Sequence, residues 1–265
     1  MSFVVAGARA VCSARMPTLS IEAIPCLRDN YAYLIADEAA GDAWLVDPSE
    51  PGPPLALLKR RGLRLRGVLA THHHLDHVGG IPSLLDQHRG AWVAGHARDQ
   101  GRIPRQTVAI DAPLFRFVAT ELTIGDVVVQ AAYIPGHTLG AIAWYLPPRE
   151  GEPDGDVFTG DTLFAAGCGR LFEGSPTQMF GSLQAICALP PATRLWFGHE
   201  YTAANLRFAA HVEPDNAEVR ARGERLTICT TPTTVALELA TNPFVRAADP
   251  AELAERRATK DEFRG

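Results

Sequence analysis

Apolar and polar positions alternate in Leu19-Ser20-Ile21-Glu22-Ala23-Ile24 and again around Tyr31-Ala32-Tyr33-Leu34-Ile35. A period of two is that of a half-buried strand. Ala43-Trp44-Leu45-Val46 forms a third strand ending at Asp47-Pro48, and Leu55 to Arg61 has helical spacing. Gly67-Val68-Leu69-Ala70 is a continuous apolar run, read as a buried strand, and Val78 to Leu85 reads as the helix that follows. Further strands are expected at 91–94, 127–134, 142–146, 157–159 and 195–197, with an amphipathic helix from Thr177 to Leu189. Short strands with helices between some of them imply a layered α/β sandwich. After Thr202 the period changes. Segments 202–211, 215–228, 233–240 and 250–259 look helical, set apart by Pro214, Pro232, Pro243 and Pro250, and no strand is expected there. Pro214 and Pro250 also suit the first turn of a helix. The expected organisation is an N-terminal extension (1–16), a layered domain (17–199) and a small all-helical C-terminal domain (200–265).

Composition narrows the class without naming a function. Of 265 residues, 46% are hydrophobic and 21% charged, ordinary for a globular protein with ample core. A net charge of −5 argues against a general nucleic-acid binder, which shows a basic face. The five cysteines contain no CxxC pair, so a reducing compartment fits better than a disulfide framework. No apolar run is long enough to span a bilayer. A cytoplasmic monomer without membrane or nucleic-acid partners is expected. Arg9 and Arg15 in an extension free of acids leave organellar targeting as the alternative.

The chemistry is concentrated in Thr71-His72-His73-His74-Leu75-Asp76-His77. Four ligand-type side chains, His72, His74, Asp76 and His77, follow the end of a buried strand, where α/β proteins place their sites. Imidazole with carboxylate suits zinc, iron or manganese better than calcium. Three later residues extend the set: His137, Asp161 and His199 each follow a glycine at the end of an expected strand. Asp47 either orients a ligand imidazole through its second nitrogen or is a turn residue before Pro48. His73 falls between ligands and is expected to face away from them. His88, His96 and His211 have no ligand-like context, and Cys168 reads as a small buried thiol in a tight turn. No Gly-x-Ser-x-Gly nucleophile elbow occurs.

The His-x-His-x-Asp-His segment, with the downstream His, Asp and His in order, resembles the metallo-β-lactamase fold hydrolases. Within that superfamily the chain is most similar to the glyoxalase II (hydroxyacylglutathione hydrolase) family. The similarity is carried by Asp29-Asn30-Tyr31, Gly160-Asp161-Thr162-Leu163-Phe164, the run Ala166 to Gly174, Gly198-His199-Glu200-Tyr201-Thr202, Asn242-Pro243-Phe244 and Arg257-x-x-Lys260-Asp261. It spans about residues 18–264. The resemblance implies a four-layer αββα sandwich followed by the helical domain. It also implies two divalent metal ions per chain, zinc foremost, with iron or manganese as alternatives. One would be held by His72, His74 and His137, the other by Asp76, His77 and His199. Asp161 would bridge them, with Asp76 and Asp161 the acidic residues of the reaction centre. Two ions 3.5–4 Å apart share a water and bring its pKa toward neutrality. The hydroxide would attack the thioester carbonyl of S-(2-hydroxyacyl)glutathione, typically S-D-lactoylglutathione, releasing D-lactate and glutathione.

By the same resemblance Arg170, Tyr201, Arg257 and Lys260 fall on glutathione-contacting positions, and cations suit a substrate with two carboxylates. Arg170 stands where many relatives have lysine, and Phe172 where many have tyrosine, which changes reach and removes a hydroxyl. Three rival readings remain at this level: a mononuclear-iron persulfide dioxygenase on the same fold, a nucleic-acid processing hydrolase, and a zinc-stabilised interaction module. Structural zinc sites are closed and often use cysteine, whereas none of these seven candidates is cysteine.

Overall fold

In the computed structural model, which describes residues 19–149, 152 and 154–265, two six-stranded sheets lie face to face. The 1–16 extension and its targeting alternative fall outside the described residues. The first sheet takes its strands in sequence order: β1 (Leu19–Cys26), β2 (Asn30–Asp37), β3 (Asp42–Val46), β4 (Arg64–Leu69), β5 (Trp92–His96) and β6 (Val108–Ile110). From β3 to β6 the strands are parallel, so their carboxyl ends share one edge of the sandwich. The second sheet comprises β7 (Val118–Ile124), β8 (Val127–Tyr133), β9 (Ile142–Leu146), β10 (Asp156–Gly160), β13 (Arg194–Phe197) and β14 (Thr233–Thr234). Its spatial order is β14-β13-β10-β9-β8-β7. A hairpin of β11 (Leu163–Phe164) and β12 (Gly167–Cys168) stands apart.

The inner strands are buried on both faces, as β2 shows. Tyr31, Tyr33 and Ile35 enter the core between the sheets, with Trp44, Val129, Trp144 and Phe158. Ala32, Leu34 and Ala36 face the other way, toward Leu57, Leu58, Ile81 and Leu84. Those last four belong to α1 (Gly52–Arg61) and α3 (Ile81–Gln87), which form one outer layer. The other outer layer packs on the second sheet. It begins with α4 (Pro176–Cys187), held at its start by a Ser175–Gln178 capping box. It continues with α5 (Thr202–Val212), α6 (Ala217–Glu224), α7 (Val235–Thr241) and α8 (Pro250–Glu262). The result is an αββα sandwich with a helical C-terminal region.

Two local departures from the sequence pattern matter. The helix expected over Val78–Leu85 is broken: α2 (Leu75–Val78) carries Asp76 and His77 on a single turn, separate from α3. Gly79 and Gly80 lie between them, where a Cβ would meet the Ser49, Pro48 and Glu50 backbone at 2.6–2.8 Å. The turn is thus pressed against the end of β3. Secondly, Thr233–Thr234 is a strand, pairing antiparallel with β13 through Leu195↔Thr233 and Arg194↔Thr234. The helical region therefore contributes an edge to the second sheet. No helix among the described residues is long and apolar enough to cross a membrane.

Candidate metal centre

All seven ligand candidates converge at the carboxyl-end edge. His72, His74, Asp76 and His77 follow β4, His137 follows β8, Asp161 follows β10 and His199 follows β13. The glycine before each late candidate acts in one of two ways. Gly136 and Gly160 have positive φ (156° and 51°), which glycine adopts readily. Gly198 instead permits contact, since a Cβ there would meet Asp161 Oδ1 at 2.2 Å.

Ligand atoms fall into two groups. Those of His72, His74 and His137 lie within 4.8 Å of one another, as do those of Asp76, His77 and His199. His74 Nδ1 is 3.1 Å from both His72 Nε2 and His137 Nε2. Asp161 stands between the groups: Oδ1 is 3.2 Å from His77 Nε2, while Oδ2 is 3.3 Å from His199 Nε2 and 3.5 Å from His137 Nε2. A third grouping, Asp47 with His72 and His77, also meets the distance criterion, but its chemistry is different. Asp47 already accepts from Thr71 N (2.7 Å) and Thr71 Oγ1 (2.5 Å), and lies 3.0 Å from His77 Nδ1. It is an orienting group behind the ligands. It faces the outer nitrogen of His77, as the orienting reading expects, and its backbone is left-handed with φ at 45°.

Four of the five imidazoles, all but His74, have a partner on the far nitrogen, the arrangement that fixes tautomer and ring direction in metal sites. His137 Nδ1 is 2.9 Å from Arg170 O, His199 Nδ1 is 2.9 Å from Asp29 Oδ1, and His72 Nδ1 is 3.1 Å from Thr71 Oγ1. Asn30 Nδ2 donates to Asp76 Oδ2 at 3.2 Å. Asp29 and Asn30 had no assigned role in the sequence reading. They sit at a hairpin turn, and only the family motif marked them.

Electrostatics divide the groups. Burial, aided by neighbouring imidazoles, pushes His72 and His137 below the usual histidine value and His74 to about 4. These three are neutral at pH 7, with lone pairs to offer. For His77 and His199 burial acts downward but is outweighed by Asp161 together with Asp47 or Asp76, taking His199 up to about 10. The hydrogen bond with His199 holds Asp76 below the carboxylate range. Asp161 is held low by His77 and His199 despite burial. Carboxylates that draw positive charge, beside neutral imidazoles with oriented rings, are a donor set suited to divalent zinc, iron or manganese.

A cleft of about 440 Å³ opens beside His137 and Asp161, walled by Phe164, Arg170, Phe172, Tyr201, Arg257 and Lys260. Tyr201 stacks on His199 with centroids 4.9 Å apart and an interplanar angle of 5°. Lys260 Nζ donates to Ala204 O at 3.0 Å and sits 5.1 Å from the Phe208 ring centroid. Arg257 is buried, donating to Cys168 O (3.0 Å) and Asp261 Oδ1 (2.9 Å). Arg170 is exposed, with Nε 3.4 Å from Asp261 Oδ1. Asp261, Asn205, Phe263 and Arg264 also line this cleft and had no assigned role. A larger cleft of about 690 Å³, lined by Asp42, Arg64, Arg66 and Arg89, involves none of the ligand candidates. Cys168 is buried and its thiol is pushed up to about 11 by that burial, so it is inert. His73 turns away from the ligand set, toward Asp99 and Arg102.

Residues 27–199 match the metallo-beta-lactamase superfamily and residues 200–263 the hydroxyacylglutathione hydrolase C-terminus. A hydroxyacylglutathione hydrolase of Synechococcus sp. is 44% identical over 264 residues, covering 92% of this chain and all of the relative. The chain belongs to the hydroxyacylglutathione hydrolase family. Among solved structures, ETHE1 from Myxococcus xanthus superposes with a TM-score of 0.66 at 26% identity, covering 91% of this chain and 90% of that one. TTHA1623 in a di-iron-bound form does so at 0.55 and 28% identity, covering 86% and 99%. The hydroxyacylglutathione hydrolase reading therefore holds over the single-iron dioxygenase, since it accounts for residues on both sides of position 200.

Proposed function

We propose that this enzyme hydrolyses S-(2-hydroxyacyl)glutathione thioesters, typically S-D-lactoylglutathione, to D-lactate and glutathione. His72, His74 and His137 would hold one divalent ion, and Asp76, His77 and His199 a second, with Asp161 shared. The observation that carries this reading is the position of Asp161, its two oxygens facing ring nitrogens of both groups at 3.2–3.5 Å. A pair of ions so held would supply a water of lowered pKa and polarise a carbonyl. We take zinc as the resident metal, with iron or manganese compatible with the same donors.

The remaining chemistry falls to the side chains. Asp47 and Asp29 hold His77 and His199 with their Nε2 atoms inward. Asp76 and Asp161 supply the negative charge that keeps the centre together. Tyr201, Arg170 and Lys260 line the cleft where the peptide part of the substrate would lie, and cations there answer its carboxylates. Arg257 supports that wall through Cys168 and Asp261 while adding its own charge. Phe164, Phe172 and Phe263 make the cleft partly apolar and exclude water. The thiolate product is a good leaving group, so no protein acid is required. Glutathione chemistry and four free described cysteines support a reducing, cytoplasmic setting, and we take the monomer as the working form. Loss of thioester absorbance should be metal-dependent: turnover of S-D-lactoylglutathione, abolished by a chelator and restored by added zinc. Absence of metal-dependent turnover would overturn the proposal.

A further inference from the structure

Beside the ligand groups lies an ion network that the reaction does not use. Arg102 Nη2 donates to Glu173 Oε1 and to His73 Nε2, both at 2.5 Å, while Arg102 Nη1 lies 3.4 Å from Asp99 Oδ1. His73 Nδ1 is 3.2 Å from the same oxygen of Asp99, whose carboxylate is fully buried. The second oxygen of Glu173 accepts from Leu139 N at 2.8 Å. The backbone continues the connection, with Phe172 N and Glu173 N donating to His137 O at 3.2 and 3.3 Å. Hydrogen bonding by Arg102 holds Glu173 down at about 2, so the pair is ionised at neutral pH.

Four segments meet in this network: the 72–74 turn, the turn around Asp99, the 137–139 turn and the 172–174 turn. Two of them carry all three imidazoles of the first group: His72 and His74 flank His73, and His137 precedes Leu139 by two residues. None of the network residues touches Asp76, His77 or His199. Those three are oriented by Asn30, Asp47 and Asp29 instead. We propose that Glu173, Arg102, Asp99 and His73 form a positioning clamp for the first metal group only, so that the two ions have separately tunable affinities. This inference rests on the two-ion reading above. The clamp's outer members are the accessible ones, with side-chain exposures of 42% for Arg102 and 25% for Glu173. Ion pairing there is screened by salt. Behind the second group Asp47 and Asn30 are buried, while Asp29 is 34% exposed.

The test is a metal-affinity cycle on the full chain, read by chelator competition rather than by turnover. In His199→Ala, which leaves the first group to bind alone, adding Glu173→Gln should weaken the remaining ion about 10–100-fold, the usual cost of losing a residue that orients ligands. In His74→Ala, which leaves the second group, the same addition should change affinity less than twofold. Arg102→Ala should repeat the pattern, which separates the clamp from any fault of one variant. Equal weakening in both backgrounds, or none in either, would overturn the clamp. Were the unmutated chain to bind a single ion, the two-ion reading would fail first. Two ions with a flat cycle would sink the clamp alone.

Discussion

Lys260 shows how one side chain can carry both a charge and a pH dependence into the cleft. Its ammonium is half-buried between the Phe208 and Phe263 rings, 5.1 and 5.7 Å from their centroids, with one hydrogen bond to Ala204 O. Burial, with Arg257 and Arg207 nearby, lowers its pKa to about 8. The charged form is the one lost as pH rises, so attraction for an anionic substrate is present below pH 8 and fades above it. KM for S-D-lactoylglutathione should accordingly climb across pH 8, with kcat much less affected, and in Lys260→Ala it should be high and insensitive to pH there. A substitution that left KM unchanged would remove Lys260 from the binding site. Asp47 is the residue-scale counterpart at the metal centre. Its ligand-orienting role was undecided in the sequence because a single acid before proline looks the same whether or not an imidazole folds back onto it. Ligand types at short spacing were legible in His72-x-His74-x-Asp76-His77. The outer-nitrogen partners of His199, His77 and His137 come from 30 or more positions away in Asp29, Asp47 and Arg170, and nothing local in sequence encodes those meetings.

At the scale of elements, the hairpin β11–β12 and helix α7 are joined by a buried carboxylate. Glu238 on α7 is fully buried. It accepts from Ala166 N at 2.8 Å and Asn242 Nδ2 at 2.9 Å on one oxygen, and from Thr233 Oγ1 at 2.7 Å on the other, 2.8 Å from Arg222 Nη2. Ala166 is the turn of the hairpin, with φ at 54°, and the chain after β12 passes directly to Gly169 and Arg170 in the cleft wall. Removing the carboxylate leaves the largely buried Arg222 guanidinium without its counter-charge and several donors unpaired. Such losses cost about 3–5 kcal/mol. Glu238→Ala should lower the denaturation midpoint in urea by that equivalent, while Glu238→Gln, which retains an acceptor and the volume, should lose less. Equal stability of Glu238→Ala and the unmutated chain would show that the network is compensated elsewhere. The same elements mark where sequence periodicity stops being informative. Buried strands such as β2, β8 and β9 were readable from their apolar residues. The strands β6 and β7 were not picked out, nor was the two-residue β14. The hairpin β11–β12 is too short to show a period and is held by Asn242 Nδ2 reaching Phe164 O and Gly167 O.

At the scale of the whole molecule, the boundary expected near residue 200 divides the chain by composition but not by core. The outer face of the second sheet offers Ala132, Tyr145, Val157 and Leu195, and the same cluster contains Met179 and Leu183 of α4. Phe208, Val235, Phe244 and Leu253 join it from beyond residue 200. The edge of that sheet is itself completed by β14, and the substrate cleft takes walls from both sides of the boundary. Burying a large apolar side chain contributes about 1.5–3 kcal/mol. The four side chains from beyond residue 200 therefore represent roughly 6–12 kcal/mol of burial, comparable to the net stability of a typical domain at about 5–15 kcal/mol. A catalytic layer that loses this cover has little stability left, and it exposes an apolar sheet face prone to association. We therefore expect the helical region and the sandwich to unfold together. Calorimetry of the intact chain should show one transition whose calorimetric and van't Hoff enthalpies agree, and a fragment ending at His199 should aggregate rather than fold. Two resolved transitions, or a soluble fragment with native near-ultraviolet dichroism, would establish the C-terminal helices as an independent unit.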